Sequence, residues 1–432
     1  MPHWSPAVLV LLVSGVILSG CASEAPLRGT PADYRDEVTR LQQTLRDAPN
    51  DTTARRDLGA IYVRTERPEN GYKQLQKAYQ AGLDDPKTLF YLGVAREKTG
   101  RTDAALRLYQ QYTDVPEDSP YRSLLQGRYE SLQRTRARRV IAQKLDREDD
   151  LADAEISPST VAVLPLAYRG DNERFAPLRR GLSGMISTDL ATVDPLTVVE
   201  RVRLQALLDE IELSQSNLVD PATAPRAGQI VGAGRLVGGA FAVQEDETVD
   251  VDVALARLRR DTTQADVVPQ SNALDRLFEL EREIVFGVLR RMGIEPDDLT
   301  AETRAEIERA PTQDLQAFLA FSRGLLKEDA GDYEAATEAY REARQSDPSF
   351  QEAARREQQA ESLSAAGGSP DDALAAASRV DPPPSPIDVV NRQLRTLGRT
   401  TGSGFQRDPA AEEQIGESLS DPPEPPPLEG GS

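Results

Sequence analysis

Two Leu-Gly dipeptides, Leu58-Gly59 and Leu92-Gly93, stand 34 residues apart, and Gly127 lies a further 34 on. In the same phase Gly71 matches Ala105, Leu75 matches Tyr109 and Ala78 matches Tyr112, while Pro49, Pro86 and Pro116 punctuate the segment ends. Small residues at fixed slots let two helix backbones approach closely, and large apolar residues fill the seam, so each period encodes a helix pair. One such pair cannot bury its own apolar face and has to stack on others. The spacing predicts helical repeats over 33–145, opening with a lone helix near 33–47 and closing with a capping helix over 121–144. The motif returns once at 317–350, where Gly324, Ala336, Tyr340, Ala343 and Pro348 fill its slots. This isolated unit, with helix expected over 312–365, has to rest on a following helix, on the middle of the chain or on a second subunit.

A 34-residue period of this kind resembles the tetratricopeptide repeat. The resemblance implies a concave groove lined by the first helix of each unit and used for protein contacts. By phase, Arg56, Phe90 and Arg128 point into that groove and are the candidate partner-binding residues.

Between the helical segments the periodicity changes. Val161-Ala-Val-Leu-Pro-Leu166 is a continuous apolar run and reads as a buried strand. Leu178, Leu182, Ile186 and Leu190 recur every four residues, as in an amphipathic helix. Thr197-Val-Val199 reads as a short strand, and Leu204, Leu207, Leu208 and Ile211 as one helix face. Asp220-Pro221 caps a short helix ending at Gly232. Leu236 to Val243 is a strand; Val249, Val251, Val253 and Leu255 alternate with polar residues as a half-buried one. The alternation shifts at Ala256 and Leu258, which predicts a bulge. Leu274 to Leu289 reads as a long helix capped by Ser271 or Asn272. The order βαβααββα over 158–295 is a mixed sheet with helices packed on it.

Gly181-Leu-Ser-Gly-Met-Ile-Ser-Thr-Asp-Leu190, Val198-Val-Glu-Arg201, Leu204, Leu207-Leu208, Val219-Asp-Pro-Ala-Thr223, Gly232-Ala233 and Leu236-Val-Gly-Gly239 form an ordered series. Over about 159–293 it resembles the CsgG family, which includes the curli secretion lipoprotein, with TolB N-terminal-like domains as related folds. The resemblance implies an outer-membrane assembly or transport role and a homo-oligomer. It does not extend cleanly to a pore. A barrel strand needs about 9–11 residues with a lipid-facing apolar side and aromatic girdles. Here the hairpin over 241–260 carries one aromatic residue, Phe241, and an acidic turn at 244–247, with no room for two further hairpins. Gly232, Gly234, Gly238 and Gly239 follow a helix and precede a strand, the reverse of a dinucleotide loop, so they read as tight packing.

The N-terminus carries its own signal. Ala7 to Leu18 is an unbroken small-and-apolar run, about 18 Å of helix and short of a ~30 Å membrane core. It ends in Leu18-Ser19-Gly20-Cys21, which resembles the lipobox of bacterial lipoproteins. Residues 1–20 are then a signal peptide, Cys21 the site of palmitate-bearing lipid attachment, and 21–32 a tether. Ala22 after the cysteine implies the outer membrane, facing the periplasm.

Composition narrows the chemistry. The chain has one Cys (Cys21) and one His (His3), so removal of 1–20 leaves no histidine and no thiol beyond the lipidated one. Ser-His-Asp and Cys-His catalysis, zinc–cysteine sites and disulfides are thereby excluded, and no catalytic, metal or cofactor-binding residue is assigned. The net charge of −20 repels nucleic acid. The basic run Arg134–Arg139 reads as a helix surface compensated by the acidic segment after it. From 367 to 432 the chain is Pro-rich and polar, which reads as a disordered spacer, with Ile387, Val390, Leu394 and Leu397 at helical spacing inside it.

The expectation is thus an α+β multidomain chain: N-terminal repeats, a central mixed α/β sandwich, a C-terminal helical unit and a disordered tail. The leading function is a non-enzymatic envelope lipoprotein that scaffolds assembly or secretion of other envelope or secreted proteins. An oligomeric secretion channel and a carboxylate-based cell-wall hydrolase are the alternatives.

Overall fold

The structure is a computed structural model that describes residues 30–147, 156–211, 224–259 and 262–383. Its first part is helical: α1 (Arg35–Asp47), α2 (Thr52–Arg64), α3 (Pro68–Gln80), α4 (Pro86–Lys98), α5 (Thr102–Tyr109) and α6 (Pro120–Leu145). Aspartates and prolines set the starts. Asp51 accepts from the Ala54 N–H to open α2; Asp85 accepts from the Lys87 and Thr88 N–H groups, with Pro86 at the first position of α4. These side chains satisfy N–H groups that a helix start leaves orphaned, and proline has none to leave.

α2 pairs with α3, and α4 with α5, and the small slots lie where the backbones meet. A Cβ on Gly59 would come within 2.6 Å of Leu75 Cγ, and one on Gly93 within 2.3 Å of the Tyr109 ring. Seven residues beyond each of these glycines the chain turns through a positive φ: Glu66 at 56° and Gly100 at 76°. That left-handed turn closes the hairpin.

The α/β unit follows, with β1 (Ser157–Val163), β2 (Ala167–Tyr168), α7 (Leu178–Ala191), β3 (Thr197–Val198), α8 (Arg201–Ile211) and α9 (Ala224–Val231). β4 (Ala233–Val243), β5 (Thr248–Arg259), β6 (Thr262–Ala273) and α10 (Leu277–Met292) complete it. The sheet is mixed, in the order β3-β1-β4-β5-β6, with β2 also on β4. β1 lies parallel to β3 and β4, while β4, β5 and β6 form an antiparallel meander. Val249, Val251, Val253 and Leu255 of β5 pack with α7 and α10 residues on one face; Ala256 and Leu258 join α6, α8 and α9 residues on the other.

Three expectations are corrected here. β4 and β5 pair in unbroken register from Arg235↔Arg257 to Val243↔Val249, so there is no bulge at Ala256. The shifted alternation records a second helical layer instead: a Cβ on Gly228 of α9 would meet Leu258 Cδ1 at 2.0 Å. β6 went unread because it is polar and holds Pro269, which an edge strand tolerates. It also displaces the expected cap, since α10 starts after Arg276 and not at Ser271 or Asn272. The Asp220-Pro221 cap lies outside the described residues.

α11 (Ala301–Ile307) leads to α12 (Leu315–Asp329), α13 (Tyr333–Ser346), α14 (Gln351–Ala366) and α15 (Pro370–Val380). α12 and α13 repeat the hairpin device, with a Gly324 Cβ 2.4 Å from the Tyr340 ring and Gly331 at φ 77°. α12 lies on α7, where a Cβ on Gly181 would meet Ser322 Oγ at 2.1 Å and the Phe318 ring at 2.8 Å. α14 lies on α6, with a Gly127 Cβ 2.0 Å from the Ser362 carbonyl oxygen. The C-terminal helices therefore complete the seam that the third small slot opens. α6, 26 residues long, spans about 39 Å. Its first half sits in the repeat core and its second half, at Ala137 and Ile141, in the sheet core. The disordered tail expected from 367 is corrected over its first residues: α15 is helical and buries Ala373, Leu374 and Ala377. The apolar positions 387–397 lie outside the described residues.

Two glycine substitutions separate crowding from backbone strain. Gly93→Ala is expected to cost about 1–3 kcal/mol by forcing Tyr109 aside. Gly100→Ala, with open space around it, is expected to cost about 1–2 kcal/mol through its positive φ alone. Urea unfolding of each variant checks both.

Candidate interaction groove and its anchoring charges

The first helices of successive units, α2, α4 and α6, carry Arg56, Phe90 and, one turn beyond the 34-residue slot at Leu124, Arg128, yet none of the three forms a free recognition surface. Phe90 is fully buried, with its ring centroid 5.2 Å from that of Tyr91 and 5.8 Å from that of Tyr121. Arg56 ties α2 to the start of α4, with Nε 3.0 Å from Asp57 and Nη1 3.3 Å from Asp85. Arg128, 2% exposed, pairs with Glu97 and donates to the carbonyls of Ala366 (3.0 Å) and Gly368. At Arg128 the surface on which a partner was expected is covered by the chain's own α14–α15 turn. Repeat phase reports which way a side chain points; it cannot report that a segment 240 residues away arrives there.

α15 runs along α4. Lys98, in the last turn of α4, lies 2.5 Å from Asp371 in the first turn of α15, and Lys87, in the first turn of α4, lies 2.8 Å from Asp381 just beyond α15. Arg64, 4% exposed, donates to the hydroxyls of Tyr91 (Nε, 2.7 Å) and Tyr34 (2.8 Å) and sits 3.5 Å from Asp381.

Two carboxylates anchor the remaining helices. Glu97 and Glu328 each stand four residues after a seam glycine (Gly93, Gly324) and accept from the hydroxyl of the tyrosine facing it, Tyr109 at 3.2 Å and Tyr340 at 2.7 Å. Glu328 is 1% exposed. It pairs with Arg134 of α6 (2.5 Å), Arg201 of α8 (2.8 Å) and Arg356 of α14 (3.5 Å). Asp329 takes Arg180 of α7 at 2.6 Å and Arg201 at 3.2 Å. Burial pushes the Glu328 carboxyl up, but Arg201, Arg356 and Arg134 outweigh it and hold the group far below the usual carboxylate range. Burial pulls Arg180 down to about 10 against the attraction of Asp329. Arg134 thus has a distant partner, as does Arg138, 3.5 Å from Asp209; the basic stretch was expected to be balanced locally. The recurrence of Gly-x-x-x-Glu with a tyrosine 16 residues after the glycine was the readable signal for both anchors.

A second acid pair has no cation of this kind. Glu281 of α10 is 1% exposed and its Oε1 has no hydrogen-bond partner. Burial and then Asp189 of α7 push it well above the carboxylate range, while burial and then Glu306 raise Asp189 to about 7. Clefts of about 960 Å³ and 760 Å³ are lined by residues in 331–379 and 310–349, and neither contains this pair. Among the described residues no group of three His, Cys, Asp or Glu is placed to hold a metal ion, and no helix is long and apolar enough to cross a membrane. Cys21 lies outside the described residues.

Glu328→Gln leaves three guanidinium groups around a neutral amide and is expected to cost about 3–5 kcal/mol in urea unfolding. The acid pair gives the opposite pH trend. Its folded-state pKa values lie above the ordinary 3.8 and 4.5, so its contribution is complete below those values and is lost as pH rises, through about 7 for Asp189. Relative to wild type, Glu281→Gln is expected to gain melting temperature progressively from pH 5 to pH 8.

A comparison with curated proteins gives no match. A family match does fall on the α/β unit, from β2 through the early part of β6, and it covers the helix α7 and the Gly232–Gly239 turn and strand described above. Residues 167–266, from β2 into β6, match the family model of the curli production assembly/transport component CsgG, so this stretch of the α/β unit is similar to that family.

Proposed function

We propose that the chain is a cell-envelope lipoprotein that scaffolds the assembly or secretion of other proteins. In this reading its helical hairpins, tetratricopeptide-like in period and seam chemistry, hold envelope or secreted proteins. The CsgG-like unit forms a homo-oligomer at the periplasmic face of the outer membrane, and lipid on Cys21 supplies the attachment. The observation that carries the reading is the CsgG match over 167–266. Support comes from Glu328 and Asp329, which join that unit to two sets of hairpins through α7, α8, α6 and α14. The reading is non-enzymatic and draws support from two carboxylate sites: Glu328 and Asp329 are paired with arginines, and the buried Glu281 lines neither cleft.

The channel reading draws on one dimension. β4, β5 and β6 are 11, 12 and 12 residues long, enough for the about 9–11 a barrel strand needs. Their packing favours the scaffold. The apolar side of β5 is buried against α7 and α10, and among the described residues Val267 is the only large apolar side chain counted as exposed.

Light scattering on the protein lacking its lipid anchor is expected to show a multimer at micromolar concentration; a strict monomer would count against the reading. In planar bilayers the intact lipoprotein is expected to give no conductance steps. Cys21→Ala is expected to accumulate an uncleaved precursor that incorporates no labelled palmitate.

A further inference from the structure

The face of α4 that carries Lys87 and Lys98 is occupied by a helix poorly suited to stay there. α15 has 11 residues, below the about 12–15 that hold a helix alone in water. Its fully buried side chains are one leucine and two alanines, Leu374, Ala373 and Ala377. Burial of a leucine stabilises a helix far more than burial of an alanine, and α15 has a single leucine. The turn Gly367-Gly368 precedes it and Pro382-Pro383 follow it. On its far side α15 borders the cleft of about 960 Å³ through Ala375, Ala376 and Arg379, with Ala376 also packed against the repeat core.

What α15 does have is a matched pair of charges. Lys87 and Lys98 are 11 residues apart on α4, about 16 Å, and Asp371 and Asp381 are 10 apart along α15, about 15 Å. The helices run in opposite directions, so each lysine meets one end of α15, beside a second acid from the repeats: Asp57 lies 3.2 Å from Lys87 and Glu66 3.2 Å from Lys98. Two of the chain's six lysines are spent on this spacing, in a sequence that otherwise uses arginine. Between the lysines the floor is apolar and aromatic, from Phe90, Tyr91 and Tyr121.

We propose that this face of α4 is a docking site for a short helix of a partner protein. That helix carries carboxylates at both ends about 15 Å apart and a small-residue Ala-Leu-x-x-Ala face between them. α15 is the resident occupant that the partner displaces. Charge complementarity over a fixed distance selects the ligand, and the small residues let it lie close. The effective concentration of a tethered segment keeps the site closed until a better-matched helix arrives. The proposal rests on the scaffold reading for its biological purpose and on the contacts of α15 with α4 and with Tyr121 of α6 for its chemistry.

The test uses the full chain and a fluorescein-labelled peptide of residues 369–383, read by anisotropy. Asp371→Lys with Asp381→Lys removes the clasp and with it the contact of Asp381 with the buried Arg64 (3.5 Å), and Leu374→Ala is a second opening variant that acts through packing. Both are expected to bind the peptide at least tenfold more tightly than wild type, with unchanged far-ultraviolet circular dichroism. Adding Lys87→Glu and Lys98→Glu to the first variant is expected to return binding to the wild-type level. Equal binding by wild type and both opening variants overturns the proposal, as does binding that survives reversal of the two lysines. Exchange of α15 between copies without peptide uptake makes a second copy the occupant and also overturns it. Loss of the multimer or of lipid labelling would instead strike the scaffold reading and leave this result standing.

Discussion

Glu328 and Asp329, adjacent at the end of α12, receive arginines from α6, α7, α8 and α14. Those helices belong to three sequence segments with different periodicities, and no other charged cluster described above touches all of them. A carboxylate this buried is costly to ionise unless its charge is met, and three guanidinium groups meet it. Remove any one segment and the carboxylate or the arginines lose their compensation. The cluster therefore makes the relative placement of the helical and sheet units an electrostatic matter as well as an apolar one.

The same local device appears twice. In one hairpin Gly93 admits the Tyr109 ring, the tyrosine hydroxyl reaches Glu97, and Arg128 comes from outside to pair with it. In the other, Gly324, Tyr340 and Glu328 do the same with three arginines. A seam glycine thus has two effects. It permits close approach of the backbones, and it sets a tyrosine where it can hold a carboxylate for a neighbouring segment to find. This is how hairpins far apart in the chain acquire specific partners, and why a surface expected to face outward is covered from within.

The elements with strong periodicity were legible. The 34-residue slots located α2 to α6 and α12 to α13, and the four-residue spacing of Leu178 to Leu190 located α7. β6 was not legible, because an edge strand with Pro269 and polar side chains carries almost no hydrophobic alternation. The two-faced burial of β5 was visible only as a broken pattern at Ala256, whose cause is a second helical layer. α15 was hidden by composition: flanking prolines and glycines suggest a spacer, and its buried side chains are a single leucine with two alanines and a serine, too little to mark an apolar face.

The sequence by itself determined the hairpins, their seams and the sheet's core strands, and it holds a single histidine and a single cysteine. These follow from local spacing and from counting, and need no knowledge of what lies nearby. The tertiary structure alone decided that Phe90 and Arg128 are interior, that α14 completes the seam opened at Gly127, and that Lys87 and Lys98 meet Asp381 and Asp371. Each of these depends on contact between segments more than 200 residues apart or on stacking between neighbouring units, and periodicity within a segment holds no record of what will arrive against it.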